Sequence, residues 1–135
     1  MIKVRKEGAA TSITPEYIKS KLFSFADLAQ HFHLETKSFA KHKALQELYE
    51  GLNGFRDEIP EILMGYLNGE RIGVVKIEQL KEYSQEAVRQ LIADIIDFAY
   101  DVYEWAGDNK YCDIENNAQD LSGLAAKCGY LLTLK

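Results

Sequence analysis

The feature of this sequence that most constrains its fold is an apolar stripe through residues 39–67. Apolar and aromatic side chains recur there every three or four residues, which is the period of an α-helix with one buried face. The stripe comprises Leu45, Leu48, Tyr49, Leu52, Phe55, Ile59, Leu63 and Tyr66. A helix of this length is roughly 40 Å long, so we expect other long helices to cover its apolar face.

Three further segments have the same period and carry helix boundary signals. They run from Pro15 to about Glu35, from Ser84 to Gly107 and from about Asp113 to Leu134. Thr14 before Pro15 is a typical helix start, because threonine caps a helix and proline fits its first position. The sequence therefore predicts an all-α fold, a bundle of four long helices.

Residues 70–83 connect the second predicted helix to the third. The connection is long for adjacent antiparallel helices, and it suits a long crossover between parallel helices, as in ferritin-like four-helix bundles. Two local structures fit this segment, namely a short helix over residues 76–83 or an extended stretch over residues 73–75.

Length and composition indicate one globular domain. The chain has 135 residues, of which 47% are hydrophobic and 27% are charged, and its net charge is -5. No apolar run approaches the roughly 18 residues that a membrane span needs, and no apolar core follows the charged N-terminus as in a signal peptide. We expect a cytoplasmic protein with a bundle over residues 14–135 and an N-terminal arm over residues 1–13.

The arm carries Lys3, Arg5 and Lys6 beside Glu7. Proteins bind DNA largely through localised positive charge that displaces counterions from phosphate. Three basic residues make a thin patch in an acidic chain, so we expect no nucleic-acid role for the arm. Many copies of the arm on an oligomer would raise its avidity, and DNA binding therefore stays open as an alternative.

Candidate metal ligands are concentrated between residues 31 and 61. All three histidines, His31, His33 and His42, lie there, followed by two carboxylates one helical turn apart, Asp57 and Glu61. On the second helix, His42, Gln46, Asp57 and Glu61 fall within an arc of roughly 100°. The centre of this arc lies more than about 90° away from the apolar stripe. These side chains therefore point away from the core of their own bundle.

The spacing of these residues prevents one chain from gathering them around one ion. The rise from His42 to Glu61 along a helix is about 28 Å. Two such helices crossing antiparallel about a two-fold axis would bring the histidine end of one to the carboxylate end of the other, twice over.

This arrangement resembles that of the Dps family (DNA-binding protein from starved cells), small ferritin-like proteins that oxidise and store iron. The residues that match its motif in type are Phe39, His42, Asp57 and Glu61. Asp120–Leu121 and the apolar ending over residues 127–134 also resemble the family's last helix. Residues 33–45, HLETKSFAKHKAL, are similar to small Dps-like proteins often found in tailed phages.

The resemblance implies an iron site shared between two subunits, with histidines from one and carboxylates from its two-fold mate. The implied ligands are His33, His42, Asp57 and Glu61, with His31 as the alternative to His33. It further implies a homo-oligomer, a dodecamer built from two-fold dimers. Such a shell oxidises Fe(II) with peroxide or oxygen, stores the iron inside and protects against oxidative stress.

The first histidine of the motif has two candidates. The family has a histidine next to an aromatic residue there, so His33 fits if Leu34 replaces the aromatic, and His31 fits if Phe32 supplies it. Helical phase favours His33, because it lies near the inward stripe of the first helix whereas His31 lies nearly opposite.

Two residues of the second helix depart from the family's pattern. Gln46, one turn after His42, stands where the family often has an acid, and a neutral amide oxygen is a poorer ligand for iron than a carboxylate. Pro60, between the two carboxylates, frees the carbonyl of Arg56 and should kink the helix.

Other side chains able to bind metals or react lie on the third and fourth helices. The third carries an acidic face that suits either the wall of a mineral cavity or a solvated surface, formed by Asp94, Asp97, Asp101 and Glu104. Cys112 and Cys128 are about 24 Å apart on a continuous helix, too far to pair within one chain. We expect both to be buried, reduced thiols.

Two classes of function follow from the sequence. The first is iron oxidation and storage, with no catalytic residue beyond the metal ligands. The alternative is a catalytically inactive ferritin-like protein with a structural or interaction role, which no metal would perturb. The donor set also fits another divalent metal such as zinc.

Overall fold

A computed structural model describes residues 12–135 of the chain. This part is entirely helical apart from its turns and connections, and it contains no strand. The helices are α1 (Pro15–Glu35), α2 (Phe39–Tyr66), α3 (Gln85–Asp108) and α4 (Cys112–Leu131). The predicted all-α bundle of four helices is confirmed. The basic residues of the predicted arm lie outside the described residues.

The helix boundaries follow from local chemistry. Thr14, Ser38 and Ser84 each cap a helix, since each hydroxyl accepts a hydrogen bond from the backbone N–H three residues on. At the end of α2, Asn68 and Gly69 have positive φ angles of 58° and 84°, and the N–H of Gly69 returns to the carbonyl of Met64 at 2.7 Å. This hydrogen bond ends the helix as the Asn-Gly pair predicts.

The core lies between the predicted apolar stripes. The predicted inward residues of α1 and α3 are all buried, and they are Ile18, Leu22, Phe25, Ala29, Phe32, Val88, Leu91, Ile95, Phe98, Val102 and Ala106. In α2 the stripe is buried from Leu45 to Leu63 except for half-buried Tyr49 and Phe55, and Tyr66 at its end is exposed. Helical periodicity therefore located the core correctly.

Helices α2 and α4 approach closely at Gly51. A Cβ atom built at this position would lie 2.5 Å from Cδ2 of Leu124. Real Cβ contacts are not this short, so the spacing between these two helices depends on a residue without a side chain. By contrast, a Cβ atom at Gly54, less than one turn away, would meet nothing within 4 Å.

The connection between α2 and α3 follows α1 along its length. Its hydrogen bonds with α1 and the cap of α1 include those of Gly73 with Lys19, Lys76 with Ser20, Glu78 with Ser24 and Tyr83 with Thr36. Because Tyr83 reaches the residue that ends α1, α3 begins at the end of the bundle where α2 also begins. Residues 70–84 contain no helix, so a short helix over residues 76–83 is wrong for this segment.

Within residues 12–135, no helix has both the length and the hydropathy that would let it cross a membrane.

Candidate metal centre

The best-defined arrangement of polar side chains joins the end of α1 to the start of α2. The imidazole rings of His33 and His42 stack with their centroids 3.7 Å apart and their planes at 26°. Nδ1 of His33 lies 2.9 Å from the carbonyl oxygen of His42, and Nδ1 of His42 lies 3.0 Å from the carbonyl oxygen of His33. Each histidine is therefore hydrogen-bonded to the backbone of the other, and we call this arrangement the histidine pair.

The hydrogen bonds of the histidine pair fix its tautomers. A carbonyl oxygen only accepts hydrogen bonds, so both Nδ1 atoms must carry the proton and donate it. In the neutral rings, both Nε2 atoms then keep a lone pair. Histidines that bind metals usually donate their other ring N–H to a backbone carbonyl or carboxylate in this way. Each ring thus keeps one Nε2 lone pair, in the tautomer in which histidine binds a metal.

The local sequence explains why the two histidines meet. The turn over residues 36–38 is short, and Ser38 starts α2 directly after it. The carbonyl of His33 lies in the last turn of α1, where carbonyls have no partner inside the helix. His42 supplies that partner, so the pair also stabilises the end of α1. The ring of Tyr49 also packs edge-to-face with the ring of His33, with the centroids 5.0 Å apart.

The structure distinguishes His33 from His31 by burial. His33 is only 7% exposed, whereas His31 is half-exposed and its ring contacts that of Phe32, with centroids 5.9 Å apart. The predicted inward phase of His33 is confirmed. His31 is not brought to the histidine pair by any contact among the described residues.

The carboxylate pair, Asp57 and Glu61, lies on the exposed surface of α2. A side-chain hydrogen bond with Asp57, and then the negative charge of Asp57, raise the pKa of Glu61 above its ordinary value of 4.5. Two carboxylates that compete for one proton are stabilised by a cation placed between them. Their chemistry therefore fits a divalent metal, although two oxygen donors alone do not complete a site.

The chain does not bring these two halves together. Among residues 12–135, no group of three or more histidine, cysteine, aspartate or glutamate side chains is arranged to hold a metal. The histidine pair lies at the start of α2 and the carboxylate pair near its end, as the helical rise predicts. The chain thus presents two separate groups of candidate ligands.

Gln46 and Glu50 extend the polar face of α2 next to the histidine pair. Nε2 of Gln46 donates a hydrogen bond to Oε1 of Glu50 at 2.9 Å. Glu50 was not singled out from the sequence, although its position four residues after Gln46 is the spacing at which helical side chains interact. The same spacing places Gln46 next to His42.

The acidic face of α3 lies partly in a shallow pocket. Asp94, Asp97 and Asp101 line a cavity of about 190 Å³ together with Tyr17, Lys21 and Phe98. Lys21 also forms an ion pair with Glu78, at 3.3 Å. The face is therefore neither uniformly acidic nor fully solvated, because a lysine and two aromatic rings contribute to the same pocket.

The two cysteines differ in burial, which corrects the prediction that both are buried. Cys128 is buried and its Sγ lies 3.6 Å from the carbonyl oxygen of Ala44, whereas Cys112 at the start of α4 is exposed. Burial raises the pKa of the Cys128 thiol to about 12. Cys112 is exposed because it occupies the first position of α4, before the apolar stripe begins at Ile114.

Comparison with known proteins identifies a family. Residues 33–132 match the family described as a family of unknown function (DUF5856), and the chain belongs to that family. The match begins at the first histidine of the pair and extends through α4. No curated protein and no solved structure matches the chain.

Proposed function

We propose that this member of the family is a Dps-like, ferritin-like protein that binds Fe(II) between two subunits, oxidises it and stores it in a hollow shell. The observation that carries the proposal is the histidine pair. Its hydrogen bonds hold both rings in the tautomer that leaves Nε2 available to a metal. A purely structural pair of histidines would not require both Nε2 lone pairs to stay free of protein partners.

The proposed site is completed by a second copy of the chain. The ligands are His33 and His42 of one protomer and Asp57 and Glu61 of the other. Two neutral imidazoles and two carboxylates offer nitrogen and oxygen donors that suit Fe(II), and also Zn(II). When iron is bound, oxidation of two Fe(II) releases two electrons, which one hydrogen peroxide and two protons accept to give two waters.

The charges of α2 support antiparallel pairing of two copies. Lys43 lies in its first turns on the same side of the helix as Glu61, and Asp57 and Glu58 lie near Glu61 towards the other end. Opposite charges across an interface favour one orientation and disfavour the reverse. Two antiparallel copies would bring Lys43 of each helix towards the carboxylates of the other.

Exposed apolar side chains next to the histidine pair also support an interface. Leu34 is 68% exposed and Phe39 is 75% exposed, and Phe39 stacks against His42 with ring centroids 6.5 Å apart. The connection adds exposed Val74 and Leu80. Large exposed apolar groups near a polar site often mark a surface that a partner covers. We propose a homo-oligomer built from two-fold dimers, a dodecamer by resemblance.

The path of the connection supports a ferritin-like topology. Residues 70–84 follow α1, which lets α2 and α3 begin at the same end of the bundle, and a long crossover in a ferritin-like bundle has this effect. We propose that the connection is that crossover. DNA binding by the arm and a cytoplasmic location remain expectations from the sequence. The proposal of iron oxidation and storage rests on neither of them.

The experiment that tests the proposal combines native mass with metal analysis. Light scattering is recorded on the purified protein before and after anaerobic Fe(II) and then peroxide. We expect a shell of many subunits that takes up many irons per chain, and saturable Fe(II) oxidation that both His42→Ala and Asp57→Ala abolish. Unchanged oxidation in both variants would refute the site, and a monomer that ignores iron would refute the storage function.

One observation favours a second candidate, a ferritin-like protein with a structural or interaction role and no catalysis. The hydrogen bond from His42 to the last turn of α1 has a structural use without any metal. This candidate predicts an oligomer whose mass and stability no divalent metal changes. A large shell that binds about one Zn(II) per chain, with no mineral, would instead indicate a metal other than iron.

A further inference from the structure

A cavity of about 170 Å³ lies at the end of the bundle where α2 and α3 begin and α4 ends. Its lining includes Lys41 from the first turn of α2, Val88 and Arg89 from α3, and Leu132, which caps α4. Neither residue of the histidine pair is among the described residues that line it. The cavity is therefore a separate feature from the candidate metal centre.

The charge of its lining distinguishes this cavity from the pocket on the acidic face of α3. That pocket is lined by three aspartates and one lysine. The charged residues that line this cavity, Lys41 and Arg89, are both basic, and none of the described residues around it is acidic. The whole chain has a net charge of -5. This cavity, which we call the basic cavity, thus has the opposite charge to the chain and attracts anions.

The two cations of the basic cavity are available to a ligand. Lys41 is half-buried and forms no ion pair within residues 12–135. Arg89 donates a hydrogen bond to Oε2 of Glu86 at 3.0 Å, which uses one of the five N–H donors of its guanidinium. A cation that is partly removed from water and has no counter-ion is stabilised by a bound anion.

The two hydroxyl groups of the lining are already engaged as donors. The hydroxyl of Tyr83 donates to Oγ1 of Thr36 at 3.2 Å, and the hydroxyl of Thr133 donates to the carbonyl oxygen of Tyr130 at 2.6 Å. An anion needs donors or positive charge. Binding of an anion therefore depends on the two cationic side chains.

The remainder of the basic cavity is apolar enough to hold more than an inorganic ion. Val88 is buried, and Gly129 and Leu132 are half-buried. A cavity of roughly 150 Å³ can hold a molecule of benzene, so the basic cavity has room for a ring or a branched apolar group. An inorganic anion would leave this apolar surface in contact with water.

We propose that the basic cavity binds a small organic anion, whose charged group pairs with Lys41 and Arg89 and whose apolar body lies against Val88 and Leu132. Guanidinium and ammonium groups bind both carboxylates and phosphates. The positive partial charge at the starts of α2 and α3 adds to the attraction, because both helices begin at this end. The proposal does not depend on the metal site.

The test measures the binding of benzoate to the full-length protein by ligand-observed NMR, which suits assemblies of any size. We expect a dissociation constant of about 1 mM, as for a small ligand with one ion pair. Lys41→Met should weaken binding by about tenfold, the usual effect of losing a hydrogen bond to a charged group. Lys43→Met is the matched control, because it removes the same charge two residues along α2 from a side chain that does not line the cavity.

A second pair of variants tests the position of the ligand. A Cβ atom at Gly129, which lines the cavity, would meet Cγ2 of Ile92 at 3.7 Å, an ordinary contact. We therefore expect Gly129→Val to fold, to fill part of the cavity and to abolish benzoate binding. Gly123→Val is its control on the same helix, since a Cβ atom there would meet nothing within 4 Å. Circular dichroism checks that both variants fold.

Two further ligands separate charge from apolar contact. Benzamide has the ring without the charge, and inorganic phosphate has charge without the ring, so each should bind at least about tenfold more weakly than benzoate. Phenyl phosphate against benzoate then identifies the preferred charged group. Equal binding of benzamide or of inorganic phosphate would overturn the proposal. Equal losses in Lys41→Met and Lys43→Met, unchanged binding in folded Gly129→Val, or no binding of any organic anion would overturn it as well.

Discussion

The two ends of α2 carry the two halves of the candidate site, and they are built differently. At the histidine end, rings from two helices stack, and each is hydrogen-bonded to the backbone of the other. At the carboxylate end, Asp57 and Glu61 belong to one helix, are exposed, and have mainly each other as neighbours. The fold organises the histidine end, whereas the carboxylate end brings together two side chains of like charge.

Under the proposed function, this difference distinguishes the half that would select the metal from the half that would respond to it. Ligands held by packing and hydrogen bonds lose little freedom when a metal binds, and this improves affinity. Exposed carboxylates instead repel each other until the charge is neutralised. We therefore expect the histidine end to contribute to folding without metal, and the carboxylate end to affect folding only through its repulsion.

The strongest test of the comparison is complementation between two inactive variants. His42→Ala loses the histidine half and Asp57→Ala loses the carboxylate half. If the halves come from different protomers, mixed dimers contain one intact site and one doubly defective site. Random reassembly of an equal mixture should then recover about a quarter of the wild-type sites, measured as bound Zn(II).

The control for complementation is each variant reassembled alone, which should bind no Zn(II) at this site. If the mixture binds no more Zn(II) than the average of the two variants measured alone, no site is shared between protomers. A further control, His31→Ala, should bind like the wild type, because His31 takes no part in the histidine pair. Loss of binding in His31→Ala would instead assign the first ligand to His31.

The two cysteines report separately on packing near the two ends of α2. Cys128 lies against Ala44 at the histidine end, and its pKa of about 12 leaves only about one thiol in ten thousand ionised at pH 8. Cys112 is exposed, and it lies near Tyr66 at the other end. We expect a thiol reagent at pH 8 to modify one cysteine per native chain, at position 112, and both after unfolding.

Mass spectrometry of the modified peptides provides the measurement. Rapid modification of Cys128 in the native protein would contradict the packing described at the histidine end. Cys112→Ser is the matched variant, and it should leave the native protein unreactive.

A paired stability measurement compares the two ends directly in the metal-free protein. His42→Ala removes one side-chain hydrogen bond and two ring contacts, with His33 and Phe39, so we expect it to lower the free energy of unfolding by about 1–2 kcal/mol. Asp57→Asn removes a charge from two repelling carboxylates and should leave stability unchanged or raise it slightly. Urea unfolding of both variants at pH 7 measures the difference, and equal losses in both would contradict the comparison.

The smallest expected effect is a pH dependence confined to the carboxylate end. The pKa of Glu61 is raised in the folded protein, so between its ordinary value of 4.5 and the raised value the folded state binds more protons than the unfolded state. Stability should therefore fall as the pH rises through this range. The measurement compares how the free energy of unfolding depends on pH in the wild type and in Asp57→Asn. The stability that Glu61 contributes should be fully present below pH 4.5 and lost as the pH rises through its raised pKa. A wild type that gains stability relative to Asp57→Asn as the pH rises through this range would contradict the assignment.

Local sequence signals predicted most of the bundle. Thr14, Ser38 and Ser84 marked helix starts, Asn68–Gly69 marked an end, and the apolar stripes identified the core, because caps and periodicity depend on residues close in sequence. The predicted start of the last helix near Asp113 is one residue after the observed start at Cys112. This difference lies within the usual uncertainty of a helix boundary.

The histidine pair and the path of the connection could not be predicted, because they depend on contacts that sequence spacing does not encode. The reciprocal bonds of His33 and His42 require the particular angle at which the turn over residues 36–38 brings α1 to α2. The short helix considered for residues 76–83 is absent because these residues instead form hydrogen bonds with side chains of α1. The spacing of His42 and Glu61 correctly predicted that one chain holds two separate halves, since helical rise alone decides it.

The close approach of α2 and α4 at Gly51 has an evolutionary consequence. A side chain at position 51 would collide with the side chain of Leu124 unless Leu124 changed its rotamer, residue 124 became smaller or the helices moved apart. Relatives that keep this geometry should therefore keep glycine at 51, or change positions 51 and 124 together, whereas position 54 should vary freely as far as this bundle alone is concerned. The residues that family members carry at positions 51, 54 and 124 can therefore be used to test the spacing of α2 and α4.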